Sequence, residues 1–234
     1  MAQRRFIIGD IRGSLGLLLK LFDRIQPDTG PNALIFLGSY LGPGENSKGV
    51  IDFLLFLKEV GHNCVFLRGC YERMFELSLP LNASPQFTKG WRAMGGNAVY
   101  QSYSSDSPLY VATSSGGPKK VAMTVRIPEP HLRFIKHDLG LWYETEDVIA
   151  THAGINRQRL EQGLGGVRDE DFIFGSPGWW NDSWCIPGKD IVFGHFPFPE
   201  PFLGPGKVGI DLGAGAGGRL CCIEYPSKQI TIVQ

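Results

Sequence analysis

Short apolar runs alternate with amphipathic stretches along the first third of the chain. The predicted strands are residues 6–8, 33–39 and 63–69, and the predicted helices between them are residues 15–25 and 50–57. Continuous apolar runs are typical of buried parallel strands, whereas apolar side chains at helical spacing favour helices. Ser14 and Ser47 are expected to cap the two helices, and Glu72 is expected to open a third. This order predicts a doubly wound α/β unit with right-handed crossovers.

The second half of the chain is richer in strand patterns. Between residues 80 and 141 the pattern weakens and favours short helices, with residues 121–125 open to either a strand or a loop. The later predicted strands are residues 148–154, 190–195, 207–211, 219–225 and 229–233, of which the last two form a hairpin. We therefore expect one domain, residues 1–234, with two packed sheets, outer helices and a helical insert around residues 80–142.

Composition narrows the classes of function. The formal net charge is zero and 43% of the residues are hydrophobic, so neither a nucleic-acid footprint nor an anionic-membrane tether is expected. No apolar run reaches membrane-spanning length, and the N-terminal residues lack the apolar core of a signal peptide. The five cysteines include an adjacent pair and are odd in number, which favours reduced thiols. These features predict a cytoplasmic protein.

Five polar side chains follow five of the predicted strands: Asp10, Ser39, Cys70, His152 and His195. The carboxyl ends of parallel strands lie side by side, so these residues are expected to meet at one edge. A carboxylate, a thiol and two imidazoles are common metal ligands or bases. Histidines after strands also serve as structural hydrogen-bonding residues, and both interpretations stay open.

The motifs that contain these residues resemble the metal-dependent phosphoesterases of the calcineurin-like superfamily. Their order is typical of the bacterial branch of Ser/Thr protein phosphatases and of diadenosine tetraphosphate hydrolases. The matching segments are Gly9-Asp10-Ile11-Arg12-Gly13, Gly38-Ser39-Tyr40-Leu41-Gly42-Pro43-Gly44, Gly69-Cys70-Tyr71-Glu72, His152-Ala153-Gly154 and Gly194-His195. The resemblance implies an α/β/β/α fold, in which two β-sheets pack as a sandwich flanked by helices.

The resemblance also implies two metal ions, which this chain is poorly equipped to hold. The first ion would use Asp10 and the residues at positions 12 and 39. Arg12 has no lone pair to donate, and Ser39 is a weak neutral ligand where the family has a bridging carboxylate. The second ion would use positions 39, 70, 152 and 195, where Cys70 replaces an asparagine. No metal is therefore expected, or else one zinc or manganese ion at Asp10, Cys70, His152 and His195.

The positions that the resemblance assigns to catalysis are also changed. Tyr71 and Gly42 stand where the family has its general acid and the carboxylate that orients it, and Pro43 replaces a phosphate-binding arginine. We expect Arg12 to pair with Asp10 instead of the first ion. Arg12 and Arg68 are candidate phosphate-binding residues, although Arg68 also suits a structural role.

Two functions follow from these substitutions. The main hypothesis is a pseudophosphatase, which would act as a binding or regulatory module for a protein or a phosphorylated ligand. The alternative is an active mononuclear phosphoesterase that uses Cys70, His152 and His195. The aromatic side chains around His195 are either local core or a rim for a protein partner: Trp179, Trp180, Trp184, Phe196, Phe198 and Phe202.

Overall fold

The structure is a computed structural model that describes residues 3–79, 84–104, 110–112, 118–120, 126–157 and 168–234. Its strands are β1 (Arg5–Ile8), β2 (Ala33–Phe36), β3 (Asn63–Phe66), β4 (Tyr110–Ala112), β5 (Pro118–Lys120), β6 (Trp142–Glu144), β7 (Val148–Thr151), β8 (Asp190–Phe193), β9 (Phe202–Gly204), β10 (Lys207–Gly209), β11 (Asp211–Leu212), β12 (Arg219–Tyr225) and β13 (Gln229–Val233). Its α-helices are α1 (Leu15–Ile25), α2 (Ser47–Glu59), α3 (Cys70–Ser78), α4 (Pro85–Trp91), α5 (Asn97–Ser102), α6 (Glu129–His137) and α7 (Asp169–Phe174).

The first sheet is built on the three N-terminal strands. β1, β2 and β3 are parallel, with Ile7 opposite Ile35 and Ile35 opposite Val65. β12 is antiparallel to β1 and also pairs with β11 and β13, so the predicted C-terminal hairpin is confirmed. The helices α1 and α2 connect the parallel strands, as the alternating pattern predicted.

The second sheet has the strand order β6-β7-β8-β10-β9. β7, β8 and β10 are parallel, whereas the outer strands β6 and β9 are antiparallel to their neighbours. The sequence pattern did not predict β6 or β9, which are only three residues long. The two mixed sheets with flanking helices confirm the predicted fold class.

Alternation along each strand divides the core into layers, because successive side chains point to opposite faces. In β1, Phe6 and Ile8 pack with the helices. Ile7, between them, packs against residues of the second sheet such as Val192 and Val208. A third cluster, which includes Phe172, covers the other face of the second sheet. The site residues therefore follow strands that are fixed by packing.

The predicted strand at residues 207–211 is instead divided between the two sheets. β10 ends at Gly209 and pairs with β8, whereas β11 begins at Asp211 and pairs with β12. Ile210, fully buried between the sheets, marks the crossing, and its N–H bonds to the carbonyl of Phe193 at 2.9 Å. A Cβ on Gly9 would lie 2.5 Å from the carbonyl oxygen of Ile210, so glycine permits this close passage. The crossing brings Asp211 to the end of β1.

The helix starts also differ from the predictions. Ser14 occupies the N-cap position of α1 but its side chain makes no capping hydrogen bond. Asn46, and not Ser47, caps α2 by accepting from the N–H of Gly49. The Ser47 hydroxyl instead bonds to the backbone of Gly42, and so it holds the preceding loop. The third helix begins at Cys70, which places Cys70 and its neighbours in a helical first turn.

The segment between the two halves of the chain contains α4, a π-helical turn at Arg92–Gly96, α5, the β4–β5 pair and α6. Residues 121–125 lie outside the described part of the chain, and the proposed insert boundaries stay a prediction. Among the described residues, no helix is long and apolar enough to cross a membrane. All five cysteines are free thiols.

Candidate functional site

The described structure brings the predicted strand-end residues to one edge of the two sheets. Three residues there have positive backbone φ angles although none is glycine: Arg12 (49°), Ser39 (52°) and His195 (65°). Such conformations cost free energy and persist only where the surroundings hold them, and they occur often at functional sites. The backbone at this edge is therefore held in conformations that often occur at functional sites.

The residues at this edge form one cluster with two halves. Its charged half consists of Arg12, Asp10 and Asp211. The Nε and Nη2 atoms of Arg12 donate to Oδ2 of Asp10 at 3.2 and 3.1 Å. Nη2 also donates to Oδ2 of Asp211 at 2.7 Å and to the carbonyl of His195 at 2.9 Å. The predicted pairing with Asp10 is present, but both bonds reach a single carboxylate oxygen, and the guanidinium is shared with a second carboxylate.

Asp211 is the site residue that the sequence reasoning missed. It is fully buried, and besides Arg12 it accepts a bond from the N–H of Gly213 at 2.9 Å. Burial and the nearby charge of Asp10 raise the pKa of Asp211 to about 7, although Arg12 opposes the shift. In the sequence it lies inside the predicted strand at residues 207–211, a position that marked no role.

Asp10 is the buried anion at the centre of this half. Its Oδ1 atom accepts from the backbone N–H of His195 at 3.0 Å. Burial disfavours its charge, but the neighbouring His152 and the Arg12 guanidinium outweigh that effect and lower its pKa. An ionised Asp10 beside a permanent cation is the arrangement expected for a buried ion pair.

The position of Arg12 requires a glycine at residue 42. A Cβ at residue 42 would lie 2.7 Å from both Cα and Cβ of Arg12. Any other side chain would push the Arg12 loop away from Asp10. Next to it, Pro43 is exposed and carries no charge.

Cys70, His152 and His195 form the neutral half of the cluster. One potential ligand atom from each residue lies within 4.8 Å of the other two. Burial raises the pKa of the Cys70 thiol to about 12, so the thiol is protonated at neutral pH. Burial and the neighbouring His152 lower the pKa of His195 to about 4, and burial also lowers that of His152. Both imidazoles are consequently neutral at pH 7.

Ser39 lies inside this neutral half. Its Oγ atom is 3.4 Å from Nε2 of His152 and 3.6 Å from Sγ of Cys70. The other ring nitrogen of His152, Nδ1, is 2.9 Å from the carbonyl oxygen of Leu37. That carbonyl requires a proton on Nδ1, which leaves the Nε2 lone pair facing Ser39.

Glu72 connects the two halves by holding the loop after β2. The side chain is fully buried, and it accepts from the N–H groups of Ser39 and Gly69 through Oε2 at 2.9 and 3.0 Å. Through Oε1 it accepts from Tyr40 and Leu41 at 2.8 and 3.0 Å. Burial raises its pKa to about 7 against the effect of these donors. Glu72, which was predicted only to open a helix, therefore also holds the backbone of the loop after β2 in place.

Tyr71 covers the charged half. The guanidinium carbon of Arg12 lies 5.7 Å from the centre of the Tyr71 ring. The Tyr71 hydroxyl donates to the carbonyl of Met94 at 2.7 Å, and the ring packs on Trp91. A cation over an aromatic face is a favourable contact. The turn at Arg92–Gly96 is therefore attached directly to the residue that covers Arg12.

Arg68 lies in a different setting from Arg12. It donates to Glu76 at 2.6 Å and to the carbonyls of Ile135 and Lys136 at 3.1 and 3.0 Å. These bonds join α3 to α6 and occupy both terminal nitrogens of the guanidinium.

The aromatic residues near His195 form one half-buried cluster. The ring of Trp180 lies 5.7 Å from Phe193, 4.7 Å from Phe196 and 5.2 Å from Phe198, measured between centres. Trp179 packs against Phe193 at 4.8 Å. These contacts place the aromatic side chains on the second sheet beside the site.

Comparison with known proteins shows which family the chain resembles. The family model described as calcineurin-like phosphoesterase matches residues 4–211. A crystal structure of a candidate diadenosine tetraphosphatase is 20% identical, with a TM-score of 0.66, over 99% of this chain and 93% of that one. No curated protein sequence matches this chain at a significant level.

Two further solved structures share the fold. A cold-active protein-tyrosine phosphatase from a Shewanella species is 13% identical with a TM-score of 0.60, over 100% of this chain and 81% of that one. A protein serine/threonine phosphatase from Saccharomyces cerevisiae is 12% identical with a TM-score of 0.57, over 99% of this chain and 79% of that one. At these identities the likeness extends to the fold alone.

Proposed function

Because this chain belongs to the calcineurin-like phosphoesterase family, we propose that it is a non-catalytic member, a pseudophosphatase that acts as a binding or regulatory module. The observation that carries the proposal is the bonding of Arg12 to Asp10 and Asp211. A cation supplied by the protein stands beside the carboxylate on which the family's first metal ion depends.

The donor set at the first position does not fit a metal ion. The Arg12 guanidinium has no lone pair, and it already bonds to Asp10 and to the carbonyl of His195. Ser39 directs its hydroxyl toward Cys70 and His152, on the other side of the cluster. A two-metal phosphoesterase holds its attacking hydroxide between the two ions. A chain without that pair of ions cannot hold the hydroxide in this way.

The groups for proton transfer and phosphate binding are also unsuited to catalysis. The Tyr71 hydroxyl donates to the carbonyl of Met94. Burial raises the pKa of Tyr71 above its already high ordinary value, which makes it a poor acid near neutrality. Gly42 and Pro43 offer neither a carboxylate nor a guanidinium. These residues support the proposal that the chain has the family's fold but not its catalytic activity.

A mononuclear phosphoesterase is the second candidate function. The cluster of Cys70, His152 and His195 favours it, because three such donors suit one zinc ion and, less well, manganese. In that case Arg12 would have to bind the phosphate, although its donors already bond to two carboxylates and a carbonyl.

Hydrolysis assays separate the two candidates. We expect purified chain with manganese or zinc to hydrolyse p-nitrophenyl phosphate, a phosphopeptide and diadenosine tetraphosphate no faster than a matched His152→Ala variant. A metal-dependent rate that disappears in His152→Ala would overturn the proposal and favour the mononuclear enzyme.

For the binding role, we propose a protein partner in a reducing compartment such as the cytoplasm. The half-buried aromatic cluster around Trp180 supports this choice, since aromatic side chains are enriched in protein interfaces. A phosphorylated ligand is the other class, and it would need Arg12 to leave its carboxylates. Calorimetric titration with inorganic phosphate at millimolar concentration should give no binding heat, and measurable heat would favour the phosphorylated ligand.

A further inference from the structure

A cavity of about 560 Å³ lies on the outer face of the second sheet, apart from the cluster at the strand ends. Its walls come from residues 153–157, which follow β7, and from residues 171–184, which include most of α7 and the loop after it. Two half-buried tryptophans, Trp179 and Trp184, form its aromatic wall and pack with Ile155 on that face. The size and the mixed lining are those of a ligand pocket.

The polar groups of the cavity are arranged around Asp182. Lys207, whose side chain is fully buried, donates from Nζ to the carbonyl of Asp182 at 2.8 Å and also to Oδ1 of its carboxylate. The backbone N–H of Trp184 donates to the same Oδ1 atom at 3.2 Å. Oδ2 accepts no hydrogen bond from the described residues, and the Asp182 side chain is 49% exposed. One oxygen of the carboxylate is therefore held in place while the other is open to a ligand.

The aromatic wall also contains a polar atom that the protein does not satisfy. Nε1 of Trp179 is buried and has no hydrogen-bond partner among the described residues. Buried N–H groups without a partner are uncommon in folded proteins. The wall is therefore incomplete as a purely structural packing arrangement.

Arg157 shows which kind of group this wall accepts. Its guanidinium carbon lies 5.9 Å from the centre of the Trp184 ring. The hydrogen bond from Lys207 lowers the pKa of Asp182, and the charge of Arg157 adds to that effect. A guanidinium stacks on an aromatic face while its edge pairs with a carboxylate. The 560 Å³ of the cavity remain open with Arg157 in this position.

We propose that the cavity binds an arginine side chain of a protein partner, between the tryptophan wall and the carboxylate of Asp182. The bound guanidinium donates to Oδ2 of Asp182 and lies against the indole rings. Arginine is enriched in protein interfaces and at the positions that dominate binding energy. The proposal rests on the proposed function only in taking the ligand to be part of a protein.

Charge favours a cationic ligand over an anionic one. Asp171 and Asp182 line the cavity, and the first turn of α7 adds two exposed carboxylates, Asp169 and Glu170. Among the described residues that line the cavity, Arg157 is the one cation. A lysine would supply the charge, but its compact ammonium lacks the planar fork that stacks on an indole and pairs with a carboxylate. The cavity should therefore prefer arginine to lysine.

Peptide titration followed by nuclear magnetic resonance tests the proposal, with acetyl-Ala-Arg-Ala-amide as the probe. The chain has five tryptophans, so their indole N–H signals can be followed separately. We expect this peptide to shift the signals of Trp179 and Trp184 with a Kd of about 1 mM or tighter. The matched peptide with glutamine in place of arginine should bind at least about tenfold more weakly, and the lysine peptide should lie between them.

Four variants locate the binding. Trp184→Leu and Asp182→Asn should each weaken binding of the arginine peptide about threefold, because they remove the stacking face and the carboxylate charge. Arg157→Gln should strengthen it about threefold, because a competing guanidinium leaves the wall. Trp142→Leu is the matched control, since Trp142 is 39% exposed at the edge of the same sheet and does not line the cavity. It should bind the peptide as the parent does.

Circular dichroism should show that each variant is folded. The inference is overturned if the arginine and glutamine peptides shift the Trp184 signal equally, or if neither shifts it at about 10 mM. Equal binding by Trp184→Leu and Trp142→Leu would also overturn it. The hydrolysis assays above are read separately: turnover overturns the proposed function alone, and absence of peptide binding overturns this inference alone.

Discussion

The two halves of the cluster carry opposite kinds of side chain. On one side Arg12 bonds to two buried carboxylates, Asp10 and Asp211. On the other side Cys70, His152 and His195 bring a protonated thiol and two neutral imidazoles together. A buried carboxylate that loses a metal ion needs another cation, whereas neutral ligands can remain without one. Under the proposed function, this difference accounts for an internal cation in the charged half alone.

Arg12→Met should have the largest effect, because it leaves two buried carboxylates without their cation. We expect the free energy of unfolding to fall by about 3–5 kcal/mol, as for other broken buried ion pairs. Urea denaturation measures this loss. Arg4→Met is the control, since Arg4 also pairs with a glutamate but its side chain is 46% exposed; it should lose less than about 1 kcal/mol. Equal losses in the two variants would contradict the role given to Arg12.

Glu72→Gln should have the next largest effect and should disturb both halves of the cluster. The amide would present an N–H₂ group to two of the four backbone donors that Glu72 now accepts. We expect a loss of roughly 3 kcal/mol from the unfolding free energy, since buried donors are left without acceptors. Glu129→Gln, at an exposed position in the first turn of α6, should change it by less than about 0.5 kcal/mol. A similarly small loss at Glu72 would show that it does not anchor the loop.

The site shows which parts of such a structure can be predicted from sequence. Asp10 and Arg12 are two residues apart in one loop, so their pairing followed from charge and proximity. Asp211 joins them from 199 residues away, through a crossing between sheets at Ile210 that no local pattern signals. The four bonds to Glu72 depend on loop geometry that propensity does not encode. The fold was predictable because strand and helix periodicity repeat through the chain, whereas these contacts each occur once.

The two halves should respond to pH in opposite directions. The pKa of Asp211 is raised to about 7, so the folded state holds its proton longer and stability falls as pH rises from about 4 to 7. The pKa of His195 is lowered to about 4, so the folded state binds fewer protons and stability rises between about pH 4 and 6.5.

Variants at these two residues separate the opposing contributions. In denaturation across pH 4–7, Asp211→Asn should make the slope of unfolding free energy more positive, and His195→Gln should make it more negative. Each change should be at most about 1.4 kcal/mol per pH unit, the value for one proton. Slopes that move in the same direction would contradict the assignment of a charged half and a neutral half.

Cys70→Ala should have the smallest effect, because it removes a small neutral group from the half that carries no charge. We expect a loss of about 1 kcal/mol, due to packing. Cys222→Ala provides a comparison at a buried thiol away from the site, and the two losses should be similar. A loss at Cys70 as large as that of Arg12→Met would indicate that the neutral half is not independent of metal or charge.

The central claim is that the Arg12 guanidinium takes the electrostatic place of a metal ion beside Asp10. A double-mutant cycle with Asp10→Asn and Arg12→Met measures that interaction in the unfolding free energy. We predict a coupling of at least about 1.5 kcal/mol, because neutralising Asp10 removes much of the penalty for losing Arg12. Losses that add to within about 0.5 kcal/mol would contradict the claim.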